Sequence, residues 1–347
     1  MAEKETEIAT VGEFGLIELL TKDVKPRNAS TCKGVGDDAA VLSYGSKTTL
    51  VTTDLLLEGI HFDLTYCPLK HLGYKAAVVN FSDIYAMNGT PRQITVSIGV
   101  SKRFTIEHIE ELYSGIKTAC RIYGVDLVGG DTSASVTGLI ISITCIGDAE
   151  EGEVVYRSGA RDTDLICVSG DLGAAYMGLQ LLERERTVSH DVGDGFVPAF
   201  EGREYLLERQ LKPEARRDVV EELRQIGVKP TAMMDVSDGL SSELLHVCKA
   251  SGVGCRIYEE RIPIDYQTAC MAEEFNLNLV TAALNGGEDY ELLFTVPLTA
   301  HERVASMKTA RVIGRVTQPQ LGCVLETRDG NEITLRAQGW NAFGQDR

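Results

Sequence analysis

Apolar residues recur along the chain with two different periods, which predicts both strands and helices. Residues 94–100 (ITVSIGV) alternate with period two, as in a half-buried strand. From 106 to 123 apolar side chains fall three and four residues apart, which indicates an amphipathic helix ended by Gly124. The same patterns predict strands at 47–53, 138–147 and 164–169, and helices at 72–87, 174–182, 214–226 and 240–249. The alternation of predicted strands and predicted helices along the chain favours α/β or α+β layers over a helical bundle or a β-sandwich.

The length of 347 residues suggests two domains of roughly 150 residues each. A polar, turn-like segment, DAEEG at 148–152, is the natural boundary, so we expect domains at 1–148 and 149–347. Residues 187–202 are polar and contain glycine, which predicts an excursion or lid in the second domain.

Charge and cysteine content narrow the class of protein. Lys and Arg number 34 against 51 Asp and Glu, a net charge of −17, which disfavours binding to nucleic acid or anionic membranes. No apolar run approaches the roughly 18 residues of a membrane span, and the acidic N-terminus lacks the apolar core of a signal peptide. Nine scattered cysteines without a CxxC pair favour reduced thiols over a disulfide framework or a zinc site. We therefore expect a cytoplasmic protein.

Six short turns place acidic residues beside Gly, Ser, Thr or Asn at predicted strand ends. The turns are 34–38, 52–54, 80–83, 129–132, 235–239 and 286–289. Ligands of open α/β folds bind beyond the carboxyl ends of strands, so these acids could converge. Converging carboxylates repel one another unless they are protonated or neutralised, and several Mg²⁺ ions would neutralise them.

The chain lacks the context or the residues of two common nucleotide-binding motifs. Gly34-x-Gly36-x-x-Ala39 has the spacing of a dinucleotide fingerprint, but Asp37 and Asp38 would then face the pyrophosphate and no apolar strand precedes the motif. No GxxxxGK[ST] motif is present. Nucleotide phosphates would therefore be held through metal ions and the amides of glycine-containing loops.

Eight motifs, in order and spanning about residues 12 to 343, resemble the thiamine-monophosphate kinase family of the aminoimidazole-ribonucleotide synthetase superfamily. They are GVGDDAAVL (34–42), TTDLLLEGIHF (52–62), GYKAAVVNFSDIYAMNGTP (73–91), GGDT (129–132), RSGA (157–160), DVSDGL (235–240), GGEDYELLFTV (286–296) and IGRV (313–316). The resemblance implies two-domain subunits with mixed sheets flanked by helices, assembled as a homodimer. It also implies phosphorylation of thiamine monophosphate to thiamine diphosphate by ATP, with Mg²⁺.

The resemblance carries roles onto particular residues. The implied Mg²⁺ ligands are Asp38, Thr52, Thr53, Asp54, Asp83, Asp131, Asp235 and Asp238. The implied ATP contacts are Tyr123, Gly130, Asp131, Arg157 and Ser237, and the implied contacts to thiamine monophosphate are His61, Glu288 and Trp340. No residue is assigned as a covalent nucleophile or a general base, since an ionised acceptor phosphate needs neither.

Other functions stay open at this point. Within the superfamily, selenophosphate synthetase would need a reactive cysteine in a glycine-rich loop, and Cys32-Lys33 lacks that loop. The hydrogenase-maturation dehydratase would need a C-terminal cysteine, whereas this chain ends in GWNAFGQDR. Aminoimidazole-ribonucleotide synthetase itself is disfavoured by the GGEDYEL and GW segments. A catalytically silent nucleotide- or thiamine-binding regulator is the alternative of another class, and metal-dependent ATP turnover discriminates against it.

Overall fold

The computed structural model describes residues 31–33, 36–43, 45, 47–192 and 198–338. In the first part of the chain the elements are β1 (Thr31–Lys33), β2 (Ala40–Ser43), β3 (Lys47–Leu57), α1 (Leu69–Ala86), β4 (Thr90–Val100), α2 (Ile106–Tyr123), β5 (Asp126–Ala134) and β6 (Leu139–Glu150). The strands form one sheet in the order β1-β2-β3-β6-β4-β5, in which only β4 and β5 are parallel.

The second part forms another mixed sheet with its own helices. Its elements are β7 (Leu165–Ser169), α3 (Ala174–Val192), α4 (Glu204–Leu211), α5 (Arg217–Gln225), β8 (Ala232–Asp235), α6 (Leu240–Ser251), β9 (Gly254–Tyr258), α7 (Tyr266–Glu274), α8 (Leu279–Asn285), β10 (Leu292–Val296), α9 (His301–Ala305), β11 (Ala310–Thr317), β12 (Cys323–Glu326) and β13 (Glu332–Thr334). The strand order is β13-β12-β9-β11-β7-β10-β8, with β12 and β9 parallel and every other pair antiparallel.

Helix α1 is the central element of the molecule. Most of its residues are apolar or small, and all of them except Lys70, His71 and Asp83 are buried, as expected of a helix enclosed by other elements. Glycine allows α2 to approach closely: a Cβ on Gly73 would lie 2.0 Å from the carbonyl oxygen of Leu112. The core around α1 continues without a break into the second sheet.

The first sheet has an inner face against α1 and an outer face without a covering layer in the described residues. Strand β6 alternates strictly between buried and half-buried positions up to its last residue. On β3, Leu50, Thr52, Asp54 and Leu56 belong to the inner face, whereas Thr53 and Leu55 are exposed on the outer face. Because of this alternation, neighbouring motif residues of one strand lie on opposite faces of the sheet.

The prediction of mixed sheets flanked by helices is confirmed, while several element bounds were wrong. Strand β3 continues to Leu57 instead of ending before Asp54, and the expected turn at 129–132 lies inside β5. The expected excursion at 187–202 begins as helix, because α3 continues to Val192. None of the helices in the described ranges combines the length and apolar character that crossing a membrane requires.

Candidate functional site

Three carboxylates from distant parts of the chain meet between the two sheets. Asp38 lies in the bend before β2, Asp83 on α1 and Asp235 at the end of β8. One oxygen from each lies within 4.8 Å of the others. Asp38 and Asp235 are buried and Asp83 is half-buried. We call these three residues the acidic cluster.

Adjacent residues of α1 connect the cluster to both sheets. The Thr52 hydroxyl on β3 donates a hydrogen bond of 2.5 Å to Asp83, and the Ser82 hydroxyl donates one of 2.5 Å to Asp235. Asp54 is two residues beyond Thr52 and therefore lies on the same face of β3. The register of α1 thus fixes how carboxylates from the two domains face each other.

Burial and mutual repulsion make the site a strong acceptor of positive charge. Burial raises the pKa of Asp54 to about 6. Burial, with repulsion from Asp38 and Asp54, raises the pKa of Asp235 to about 7. Burial and three neighbouring carboxylates also raise the pKa of Asp83 well above its ordinary value. A bound cation would relieve both effects.

Arg157 supplies positive charge at one side of the cluster. Its guanidinium donates two hydrogen bonds to Asp38, of 2.7 and 3.1 Å, and its backbone N–H donates to Asp37 at 2.9 Å. The side chain predicted to contact ATP is therefore held by a carboxylate. In this conformation a phosphate bound beside the guanidinium would share it with Asp38.

The loop 286–290 lies beside the turn that follows β8. The backbone N–H of Glu288 donates to the carbonyl oxygen of Ser237 at 2.7 Å, and that of Tyr290 donates to Val236 at 2.9 Å. Glu288 and Tyr290 have φ values of 62° and 52°, in the left-handed region that non-glycine residues seldom adopt. The loop thereby holds Glu288, predicted to contact the acceptor, against the turn that directly follows Asp235 of the acidic cluster.

Glu288 is paired with a lysine that the sequence analysis did not single out. The buried ammonium of Lys75, on α1, forms an ion pair with Glu288 and donates a hydrogen bond of 3.1 Å to the carbonyl oxygen of Gln210. The Tyr290 hydroxyl donates to the other Glu288 oxygen at 3.2 Å. These contacts fix the position of a carboxylate whose side chain is 36% exposed.

Glu243 supports the turn that contains Ser237 and Asp238. Its carboxylate accepts the backbone N–H of Asp238 at 2.9 Å and the Ser237 hydroxyl at 3.4 Å. Burial, with repulsion from Asp238, raises the pKa of Glu243 well above its ordinary value. Glu243 thus positions two predicted ligand residues from inside the protein.

Two predicted metal ligands, Thr53 and Asp131, do not join this cluster. The Thr53 hydroxyl lies on the outer face, where it donates to the carbonyl oxygen of Ile143 at 3.1 Å. Asp131 is in register with Ser97 of β4, which is an exposed outer-face residue. In the sheet order, β5 lies three strands from β3, or about 14 Å at the usual strand spacing. Within the described residues of one chain, Asp131 therefore lies apart from the acidic cluster.

A largely apolar cavity of about 700 Å³ lies between α2 and strands β4 and β5, and it reaches the GGDT segment at Thr132. Ile98, Phe104, Ile109, Tyr113 and Thr132 are among its lining residues. Gly130 itself is packed against β4, where a Cβ would lie 1.9 Å from the carbonyl oxygen of Val96.

The remaining predicted residues occupy other places. Tyr123 is buried; its hydroxyl donates to Glu214 at 2.6 Å and accepts the backbone N–H of Ala215 at 2.9 Å, so contact with ATP would require breaking a packed contact. His61 lies in the turn after β3, where its Nδ1 accepts the backbone N–H of Leu57 at 3.0 Å. Trp340 lies outside the described residues.

Sequence reasoning missed Lys75, Ser82, Tyr113 and Glu243. A signal was available for Lys75, because a lysine inside a run of apolar and small residues predicts a buried charge that needs a partner. Glu243 had no comparable signal, since a glutamate in the first turn of a helix is ordinary.

Comparison with known proteins places the chain among enzymes of one superfamily. The family model of the AIR synthase related protein, N-terminal domain, matches residues 36–149, and that of the C-terminal domain matches residues 150–324. A thiamine-monophosphate kinase from Aquifex aeolicus is 36% identical over 333 residues, 96% of this chain and 98% of that protein. One from Bacillus subtilis is 34% identical over 343 residues, 95% and 99% of the two chains. A solved structure described as AaThiL complexed with AMPPCP and TMP has a TM-score of 0.83 at 35% identity, covering 98% of this chain and 99% of that one.

Proposed function

The chain belongs to the AIR synthase related proteins and, within them, to the thiamine-monophosphate kinase family, and on that premise we propose that the acidic cluster is its active site. The reaction is the transfer of the γ-phosphoryl group of ATP to thiamine monophosphate, giving ADP and thiamine diphosphate. The observation that carries the assignment is the convergence of three carboxylates from both domains within 4.8 Å, two of them buried and one half-buried.

The cluster fits several Mg²⁺ ions. Its donors are carboxylate and hydroxyl oxygens, which a hard cation prefers. Burial raises the pKa of Asp54, and burial with repulsion from Asp38 raises that of Asp235, so a bound cation would stabilise the ionised cluster. We propose Asp38, Thr52, Asp54, Asp83, Asp235 and Asp238 as the ligands on this face. When bound, the ions would neutralise the phosphate groups and the charge that develops during transfer.

The protein's own residues position the reactants. A terminal phosphate oxygen of thiamine monophosphate forms a bond to the γ-phosphorus, and the bond from that phosphorus to the oxygen shared with the β-phosphate breaks. The acceptor phosphate is largely ionised at pH 7, so no general base is needed. Arg157 holds Asp38 in place and presents a cationic group near the phosphates, and Glu243 holds the Ser237-Asp238 turn.

The cavity beside β5 is the proposed site of the adenine ring. Phe104 and Tyr113 supply aromatic surface there, and Thr132 connects the cavity to the GGDT segment. This assignment replaces the expected ATP contact of Tyr123, which is engaged in the core.

The acceptor is proposed to bind beside the loop 286–290. Glu288, held by Lys75 and Tyr290, can accept a hydrogen bond from an aminopyrimidine or compensate the positive charge of a thiazolium ring. His61 and Trp340 keep their proposed roles on the acceptor side from the family resemblance alone.

We further propose a homodimer in which the outer face of the first sheet is covered by a second copy. Leu55 is 53% exposed there, Val128 on the edge strand β5 is 58% exposed, and every residue of β5 is exposed, as an unpaired interface would be. Thr53 and Asp131 lie on this face, so both would lie at the proposed interface.

Two organisational predictions complete the proposal. The proposed boundary between domains 1–148 and 149–347 falls within the last residues of β6, which ends the first sheet at Glu150, and before β7, which begins the second sheet at Leu165. A cytoplasmic location is supported by the nine cysteines, all of them free thiols.

Product analysis tests the proposed function. Incubation with Mg-ATP and thiamine monophosphate should yield ADP and thiamine diphosphate in equal amounts, and omission of any one component should abolish both. A folded Asp54→Asn variant should lose turnover by roughly 100-fold or more, as expected when charge stabilisation is removed. Asp164→Asn, a buried aspartate outside the cluster, is the matched control. A protein that binds both substrates without turnover would instead be a silent regulator.

A further inference from the structure

Three cysteines from distant parts of the chain form a second cluster, in the second sheet and apart from the acidic one. Cys248 lies on α6, Cys255 on β9 and Cys323 on β12. Their sulfur atoms all lie within 4.8 Å of one another. Cys248 and Cys255 are buried and Cys323 is half-buried, which leaves a route from solvent.

The backbone holds two of these thiols in place. Cys255 and Cys323 are direct neighbours on the parallel strands β9 and β12. The strands are close at this point because Gly254 lacks a side chain: a Cβ there would lie 2.4 Å from the carbonyl oxygen of Gly322, which accepts the N–H of Cys255 at 3.0 Å. Cys248 comes from the last turns of α6, which packs against the sheet.

The spacing suits a metal–thiolate site. With metal–sulfur bonds of about 2.3 Å and tetrahedral angles, sulfur atoms are about 3.8 Å apart, so the thiols need to move by no more than about 1 Å. No His, Asp or Glu of the described part of the chain joins the trio, and three soft donors disfavour Mg²⁺.

We propose that Cys248, Cys255 and Cys323 bind one thiophilic divalent cation of the zinc group, Zn²⁺ or Cd²⁺, with the fourth position open to water. On binding, the thiols release their protons to solvent and three sulfur–metal bonds form, without electron transfer. The ion would fasten α6 to β9 and β12. Because α6 begins directly after the Ser237-Asp238 turn, the site would stabilise the support of the active-site turn from its far end.

Titration of the reduced full-length protein with CdCl₂ in excess Mg²⁺ tests this site, with ultraviolet absorption as the readout. Cadmium bound to thiolates gives a charge-transfer band that carboxylates do not give, so binding at the acidic cluster does not interfere. The band should saturate at one equivalent. In Cys323→Ser, which changes the half-buried member, the affinity should fall by roughly 100-fold or more. Cys270→Ser removes an exposed thiol outside the trio and should change nothing.

Alkylation of the wild-type protein gives a second measurement that needs no variant. Cadmium should protect Cys323 from iodoacetamide and leave Cys270 reactive, as read by peptide mass spectrometry. A wild-type protein without a saturating band, an equal band in Cys323→Ser, or equal alkylation with and without cadmium would each overturn the proposal. Kinase turnover is assayed separately with Mg-ATP, so a failure here leaves the proposed function untouched.

Discussion

Replacing Asp235 by asparagine is expected to stabilise the metal-free protein while it removes turnover. Asp235 is 3% exposed, and its carboxylate accepts a hydrogen bond of 2.5 Å from Ser82 close to Asp38. Asparagine keeps the shape and the accepting oxygen but not the charge. The substitution therefore removes a repulsion that only a bound cation would otherwise relieve.

The size of the effect follows from the pKa of Asp235, which burial raises from 3.8 to about 7. A difference of about 3 pH units at 1.36 kcal/mol each gives about 4 kcal/mol for holding the ionised group in the fold. Because the folded-state pKa is raised, this penalty is complete above pH 7 and is lost as the pH falls towards 4. Burying an amide offsets part of the gain, so we expect about 2–4 kcal/mol at pH 8.

Urea unfolding after EDTA treatment measures this difference. Asp235→Asn should be more stable than the wild type at pH 8, and less than half of that gain should persist at pH 5. Added Mg²⁺ should stabilise the wild type more than the variant. Asp164→Asn is the control, because Asp164 is equally buried but accepts hydrogen bonds from Thr231 and Arg161, of 2.7 and 3.0 Å, outside the cluster. An Asp235→Asn protein that is less stable at pH 8, or whose gain does not depend on pH, would refute the reasoning.

Three further predictions test other parts of the site. Tyr113→Ala should raise the KM for ATP by roughly 10-fold in steady-state kinetics. Tyr123→Phe should lower the free energy of unfolding in urea by about 1 kcal/mol and leave the KM for ATP unchanged. The reverse pattern would assign the ATP contact to Tyr123. Lys75→Met, which leaves Glu288 without its partner, should destabilise the protein by about 1–3 kcal/mol, and adding Glu288→Gln should restore part of the loss in the same unfolding assay. Leu55→Lys should convert the dimer to a monomer in light scattering, and an unchanged mass would contradict the proposed interface.

The local chemistry of the chain was readable from the sequence. Period-two alternation predicted β4, and the helical spacing at 72–87 predicted most of α1, which spans Leu69–Ala86. Both periods arise from contacts within an element and are therefore local. The acidic turns could likewise be recognised in the sequence, because carboxylates that adjoin apolar strands are expected to need a partner. The sequence thus determined the layered class, the chemistry of the site and the resemblance that implies the reaction.

Which side chains meet was decided only by the tertiary structure. Thr52 and Thr53 are adjacent in the chain, yet the pleat of β3 sends one to the acidic cluster and the other to the outer face. The GGDT segment was expected to be a turn, but it pairs with β4 as part of the edge strand β5, which lies apart from the acidic cluster. Cys248, Cys255 and Cys323 have no motif spacing, and helix packing and strand register alone unite them. Strand register and helix packing are set by contacts between residues far apart in the chain. A sequence pattern shows only the polarity and spacing of residues within one element, so it does not reveal those contacts.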